Sequence, residues 1–189
     1  MPSNQDDIDQ YDIANFDKAA NDPKLWTMRA EDIYLAAHVL RDKVTSMPFE
    51  PEKDLTAASQ VLRYSGIVFP SVMLQGFAIE AFLKAYWITE GNTVSQNGEY
   101  KIPTIKRDAH DLPLIAAGVG FKLSAREREV LARLSLFVSS YGRYPITKKC
   151  RQNPMKKNKQ GILHRFSWDN KDHKTAEAVI KRLRKKTAT

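Results

Sequence analysis

Residues 70–90, PSVMLQGFAIEAFLKAYWITE, constrain the fold more than any other stretch of the chain. On a helix of 3.6 residues per turn the apolar side chains cover nearly every side, and the polar positions Glu80 and Lys84 fall at i and i+4 as one narrow stripe. A helix that apolar has to be enclosed by others, so this stretch is expected to be the central pillar of a helical bundle. Gln75, Glu80 and Lys84 interrupt it, whereas a membrane span needs about 20 predominantly apolar residues. The chain therefore reads as soluble, with no membrane partner.

The flanking sequence supplies helices to surround the pillar. Asp22-Pro23 reads as a cap followed by a proline at the first helical position, and opens a helix running to about Thr45. Trp26, Ala30, Ile33, Tyr34, Ala37, Leu40 and Val44 recur along it at helical spacing. His38 among them reads as a packing residue. After a proline-bearing connector at 47–53, a short helix is expected over 55–64, ended by Ser65-Gly66, with the pillar starting afresh at Pro70. Gly91-Asn92 should stop the pillar. Residues 93–107 read as loop with a little extended structure at 100–105, and no convincing strand pair is evident. Asp111 should cap a short helix stopped by Gly118 and Gly120, and Ser124 with Glu127 forms a capping box for the next. Val130, Leu131, Leu134, Phe137, Val138 and Tyr141 make its apolar face. A last helix is expected over 169–186, with Ala176, Val179, Ile180 and Leu183 turned to the core. The class is all-α, with short antiparallel connections.

The 189 residues carry a net charge of +8, spread unevenly. From Arg143 onward there are 15 Lys/Arg against 3 Asp/Glu, while the first 142 residues hold 15 against 19. The reading is an acidic flexible arm at 1–21, a helical bundle at 22–145, and a basic loop and C-terminal helix at 146–189 that pack on the bundle. A basic module favours an anionic partner, nucleic acid above all, because neutralised phosphates release condensed counterions. The competing reading is a solvated, solubilising tail. One cysteine, Cys150, and no zinc-like Cys/His spacing point to a reducing compartment, the cytoplasm, and to no structural metal or cofactor. No signal peptide is expected.

Four features taken together resemble the HEPN family, small helical bundles common in prokaryotic toxin, abortive-infection and mobile-element systems. They are the amphipathic first helix, QGFAIEAFLK at 75–84, His110-Asp111-Leu112, and Gly142-Arg143-Tyr144-Pro145 closing the fourth helix. The resemblance spans residues 25–145. It implies an antiparallel bundle of four to five helices, here followed by the basic C-terminal extension, with homodimerisation, a place in a defence or toxin–antitoxin system, and in several members metal-independent endoribonuclease activity or partnership with a nucleotidyltransferase. The nuclease motif of the family is similar to an Arg followed, after four to six residues, by a His. None of His38, His110, His164 and His173 has such an arginine. Lys157 and Lys159 precede His164 at suitable distances, but lysine lacks the planar guanidinium.

Two readings of the chemistry remain open. RNA cleavage without metal needs a base, an acid and a cation for the developing phosphorane charge. In the first reading His110 is base or acid, Glu80 orients it, and Lys84, Arg107 or Arg143 is the cation. In the second, Glu80 and Lys84 pair along their helix, His110 braces the bundle, and Arg143 bonds the end of its own helix. For nucleic-acid binding the candidates are Arg143, Lys148, Lys149, Arg151, Lys156, Lys157, Lys159, Arg165, Lys181, Arg182 and Lys185. His164-Arg165-Phe166 and Trp168 either stack on unpaired bases or dock on the bundle. The contrasting function is a non-catalytic dimerisation or adaptor protein serving a protein partner.

Overall fold

The computed structural model describes residues 4–46, 57–100, 110–141, 156–157, 163–164 and 168–188, with side chains at 10–46, 66–100, 110–139 and 168–188. It is all-α, as the periodicity predicts. The helices are α1 (Asn4–Ala20), α2 (Pro23–Ser46), α3 (Ala57–Thr89), α4 (Leu112–Gly118), α5 (Ala125–Leu136) and α6 (Asn170–Thr187). A π-helical turn, Phe137–Tyr141, extends α5. Two antiparallel pairs of two-residue strands complete the described residues: β1 (Ser95–Gln96) with β2 (Glu99–Tyr100), and β3 (Lys156–Lys157) with β4 (Leu163–His164).

Helix α3 is the pillar. Val72, Ala78, Ile79, Phe82, Leu83 and Ala85 have no exposed surface. Its neighbours are fixed in direction by the residues that meet. Lys84 stacks near Trp26 while Ser71 Oγ donates to the Ala37 carbonyl at 2.9 Å, so α2 runs antiparallel to α3. Phe69 meets the Phe137 ring and Tyr86 the Phe121 ring, so α5 also runs antiparallel to it. Helix α6 pairs with α2 through Arg41–Glu177 and Glu31–Arg184, and with α5 through Arg133–Asp172 and Glu127–Arg182, antiparallel to both. Ala176, Val179, Ile180 and Leu183 enter the common core as expected. The stretch Gly66–Thr89 is long and apolar enough to cross a membrane by length and composition, and in this fold the bundle covers 56% of its apolar window.

The starts of α2, α4 and α5 are those the capping chemistry predicts, and α6 adds a cap of the same kind. The Asp22 carboxylate accepts from the Lys24 N–H at 2.8 Å, Asp111 from Leu114, and Ser124–Glu127 and Asp169–Asp172 form complete capping boxes. Gly91, at φ +83°, ends α3, with the Asn92 N–H returning to the Trp87 carbonyl and that of Gly91 to Ile88.

Three expectations are corrected. The acidic N-terminal arm is helical over Asn4–Ala20, because it has something to hold. The Asp17 carboxylate accepts from Ser95 Oγ at 2.5 Å and from the Gly98 N–H at 3.1 Å, and Ile13 lies against Gly98. The expected short helix and the pillar are one helix that passes through Pro70. Proline removes the N–H that would meet the Gly66 carbonyl and crowds that residue. Gly66 is exposed and has open space around its Cα, which accommodates both effects. Finally, a strand pair exists where none was expected. Asn97 and Gly98, at φ 55° and 74°, make the Asn-Gly hairpin turn between β1 and β2. The connector at 47–53 and the extended stretch at 101–105 lie outside the described residues.

Candidate functional site

Three of the four proposed catalytic residues converge. Glu80 and Lys84 lie one turn apart on α3, and His110 immediately precedes the cap of α4. The Glu80 carboxylate is 7% exposed and both of its oxygens are engaged: Oε1 accepts from Lys84 Nζ at 2.6 Å, and Oε2 lies 2.9 Å from His110 Nδ1. Phe77, one turn before Glu80, sets its ring edge-on to the imidazole, with centroids 6.1 Å apart. The Lys84 ammonium sits 5.0 Å from the Trp26 ring and 5.4 Å from that of Tyr100. Burial alone would pull the Lys84 pKa down, but the hydrogen-bonded Glu80 carboxylate and Tyr100 outweigh it and hold the group above its ordinary 10.5. Burial raises the pKa of Tyr100, opposed by the nearby ammonium.

This arrangement fixes one imidazole nitrogen and leaves Nε2 without a hydrogen-bond partner among the described residues. The His110 side chain as a whole is 30% exposed. A carboxylate-held imidazole is able to take or give a proton at that atom. Arg143 and Arg107, the proposed cations, lie outside the described residues, so Lys84 is the cation the structure brings to the cluster.

The basic module divides into cations used inside the protein and cations left outside. Arg182, expected to face a ligand, instead clamps the bundle: its Nη1 donates to Glu127 at 2.8 and 3.0 Å, its Nη2 to the Lys122 carbonyl, and its guanidinium lies 4.6 Å from the Phe121 ring. Arg184 donates to both oxygens of Glu31 and stacks on Tyr34. Their partners are 55 and 153 residues away in the chain, beyond the reach of local pattern.

Lys181 and Lys185 are exposed as expected, and Lys171 and Lys174 join them. With Ala178 between, the positions 171, 174, 178, 181 and 185 follow the 3-4-3-4 spacing of a single helix face. The face extends about 21 Å at 1.5 Å per residue. None of the four lysines has a carboxylate partner among the described residues. Lys171 and Lys174 were missed in the sequence, though the same spacing, applied backward from Lys185, finds them. Lys156 and Lys157 form the backbone of β3, paired with His164 and Leu163. Arg143, Lys148, Lys149, Arg151, Lys159 and Arg165 lie outside the described residues. Trp168 packs against the core near Phe137 and His173.

A second polar cluster lies between α2, α3 and α6. Tyr34, Ala37, His38, Arg41, Ser71, Gln75 and His173 line a cavity of about 10 Å³, room for a single water. Gln75 Oε1 and His173 Nδ1 are buried and have no hydrogen-bond partner among the described residues. Burial, reinforced by the Arg41 cation, lowers the His173 pKa to about 4, so this imidazole is neutral at physiological pH. Among the described residues no group of three or more His, Cys, Asp or Glu is placed to hold a metal ion.

No family model matches the chain, and no curated protein or solved structure matches it.

Proposed function

We propose that the protein binds RNA or another polyanion along the outer face of α6, together with the cations of the basic segment at 143–165. The observation that carries this reading is the separation of charge on α6. Arg182 and Arg184 are consumed by Glu127 and Glu31, whereas Lys171, Lys174, Lys181 and Lys185 stay exposed along one line. A solubilising tail has no need of that alignment, and a phosphate backbone does. Four lysines that neutralise phosphates release counterions, and binding then weakens as salt rises. Following the resemblance to HEPN proteins, we propose a defence or toxin–antitoxin system as the setting for such binding.

The experiment is a titration of labelled single-stranded RNA at several salt concentrations, with wild type and with all four lysines changed to alanine. The expected loss is about 0.7 in the slope of log affinity against log salt for each lysine that touches a phosphate. Equal affinity and slope in the two proteins would overturn the assignment to α6. An absence of RNA binding by wild type would favour the adaptor reading, with a protein partner.

The Glu80–His110 contact supports a second reading, metal-independent endoribonuclease activity with His110 as base or acid and Lys84 as cation. Incubation with single-stranded RNA in chelator tests it. Cleavage by wild type and not by His110→Ala is expected, and equal behaviour of the two would sink it.

A further inference from the structure

Lys84 is the cation that the fold brings to the Glu80–His110 cluster, yet its side chain is 12% exposed. Two rings close over the ammonium, Trp26 at 5.0 Å and Tyr100 at 5.4 Å. The two are held very differently. Trp26 belongs to α2, packs against the core, and donates its indole N–H to the Ala20 carbonyl at 2.7 Å. Tyr100 is 44% exposed and ends the β1–β2 hairpin, whose ladder is two residue pairs long. An isolated pair of strands is marginal in water even when longer, so this hairpin needs an outside support.

That support is α1. The root of the hairpin is fixed by burial of Val94 and Ser95 and by Asn21, which accepts from the N–H of each at 2.8 and 3.2 Å. Its tip is held by Asp17, which accepts from the Gly98 N–H at 3.1 Å, and by Ile13, packed on Gly98. This hold is shallow: none of the described α1 side chains, at 10–20, is buried. A segment tied down by a few surface contacts opens at lower free energy than a core helix.

We propose that the β1–β2 hairpin is a cover over Lys84, latched by Asp17 and Ile13 of α1, and that unlatching it gives an RNA phosphate access to the ammonium. A cation that stabilises a phosphorane has to touch it. In the closed arrangement the Lys84 ammonium is taken up by Glu80 and the two rings. Lifting the tip draws Tyr100 away and leaves Glu80 and Trp26, on the packed helices α3 and α2, in place. The ammonium then faces solvent on the side that Tyr100 vacates, still oriented by the carboxylate that contacts His110. The control of cleavage rests on the ribonuclease reading above; the cover over Lys84 does not.

The test shuts the latch covalently. A Cβ on residue 98 would lie 3.8 Å from that of Ile13, the usual separation across a disulfide. Full-length protein carrying Ile13→Cys, Gly98→Cys and Cys150→Ser is compared oxidised and reduced, so that any strain from a side chain at φ +74° is common to both. Acylation of Lys84 by an amine-reactive ester, read by peptide mass spectrometry, should be slower in the oxidised form, with the exposed Lys171 and Lys174 unchanged. Asp17→Ala, which needs no new bond, should speed it about tenfold over wild type, the factor that hydrogen bonds to a charged group are worth. Hydroxyl-radical oxidation of Trp26, which depends on access and not on protonation, should change in the same direction, and so should cleavage of single-stranded RNA in chelator. Far-ultraviolet circular dichroism equal to that of wild type verifies that the variants fold. Lys84 labelling that is equal in the oxidised and reduced forms, or unchanged by Asp17→Ala, would overturn the cover. Labelling that follows the latch without cleavage in any form would uphold the cover and remove the ribonuclease reading.

Discussion

Glu80 Oε2 lies 2.9 Å from His110 Nδ1 while Oε1 of the same carboxylate accepts from Lys84 Nζ, so one buried anion ties α3 to the start of α4 and holds a cation at the same time. Removing such an anion leaves a buried ammonium uncompensated, which costs more than the pair itself contributes. Glu80→Ala should therefore lose about 3–5 kcal/mol of unfolding free energy, measured by urea denaturation. Glu80→Leu combined with Lys84→Met should return to within about 2 kcal/mol of wild type, because no charge is then stranded. A double variant as unstable as the single one would mean that His110, rather than Lys84, is the partner that matters.

Asp172 plays the corresponding part at the start of α6. It is 1% exposed, closes the capping box with Asp169, and accepts from Arg126 at 2.6 Å and from both terminal nitrogens of Arg133. Asp172→Ala should destabilise the protein by about 3–5 kcal/mol, the range for breaking a buried charge cluster at one end. Asp172→Asn retains the cap and should recover a part of that. Thermal unfolding by calorimetry distinguishes the two.

Gly76 is a point of close approach between α3 and the π turn that follows α5. A Cβ built there would run into Val138 Cγ2. Alanine is the better helix former by about 1 kcal/mol, yet Gly76→Ala should destabilise by about 1–3 kcal/mol through overpacking. Val138→Ala in the same chain should relieve the clash, so that the double variant costs less than the sum of the singles. Strict additivity would show that the two positions do not touch.

His173 makes stability depend on mild acid. Its folded pKa, about 4, lies below the 6.5 of the free imidazole, so the unfolded chain binds the proton first. The sign follows: the group costs nothing above pH 6.5, and stability falls as pH drops from 6.5 towards 4. Arg41 and His38 oppose its protonation, while Glu177 and Asp172 favour it. The urea midpoint should decline across that window in wild type and decline less in His173→Gln. Asp169 acts lower down. Backbone hydrogen bonds at the α6 cap hold its carboxyl below the ordinary 3.8, so the stability it lends is present above that value and is lost as pH falls through the lowered one.

What the sequence made legible is what short-range chemistry controls. Asp111, the Ser124–Glu127 box and the Gly91-Asn92 stop each act within a few residues, and each stands in the structure where the pattern placed it. The Glu80–Lys84 pair was legible for the same reason, being one helical turn. His110 is expected either to be oriented by Glu80 or to brace the bundle, and the fold brings the two residues into contact across 30 positions, as either reading allows. The fate of Arg182 was hidden, because an exposed-looking arginine on a helical wheel carries no sign of a glutamate 55 residues away. Pro70 misled for the opposite reason. Local chemistry read it as a boundary, and the packing of Val68 and Phe69 just ahead of it, with the buried residues after it, overrode the loss of one hydrogen bond.

That missing bond should divide α3 in its dynamics even though Ala57–Thr89 is one helix. Proline has no amide hydrogen, so the ladder of α3 lacks one rung opposite the carbonyl of the exposed Gly66, just ahead of the buried residues that begin at Ser71. Opening of the turns before Pro70 therefore need not propagate into those after it. Under deuterium exchange the amides ahead of residue 70 should label through local fluctuations, and those of Ile79, Phe82 and Leu83 only when the whole domain unfolds. The longest helix of the protein would thus behave as two cooperative units joined at a proline.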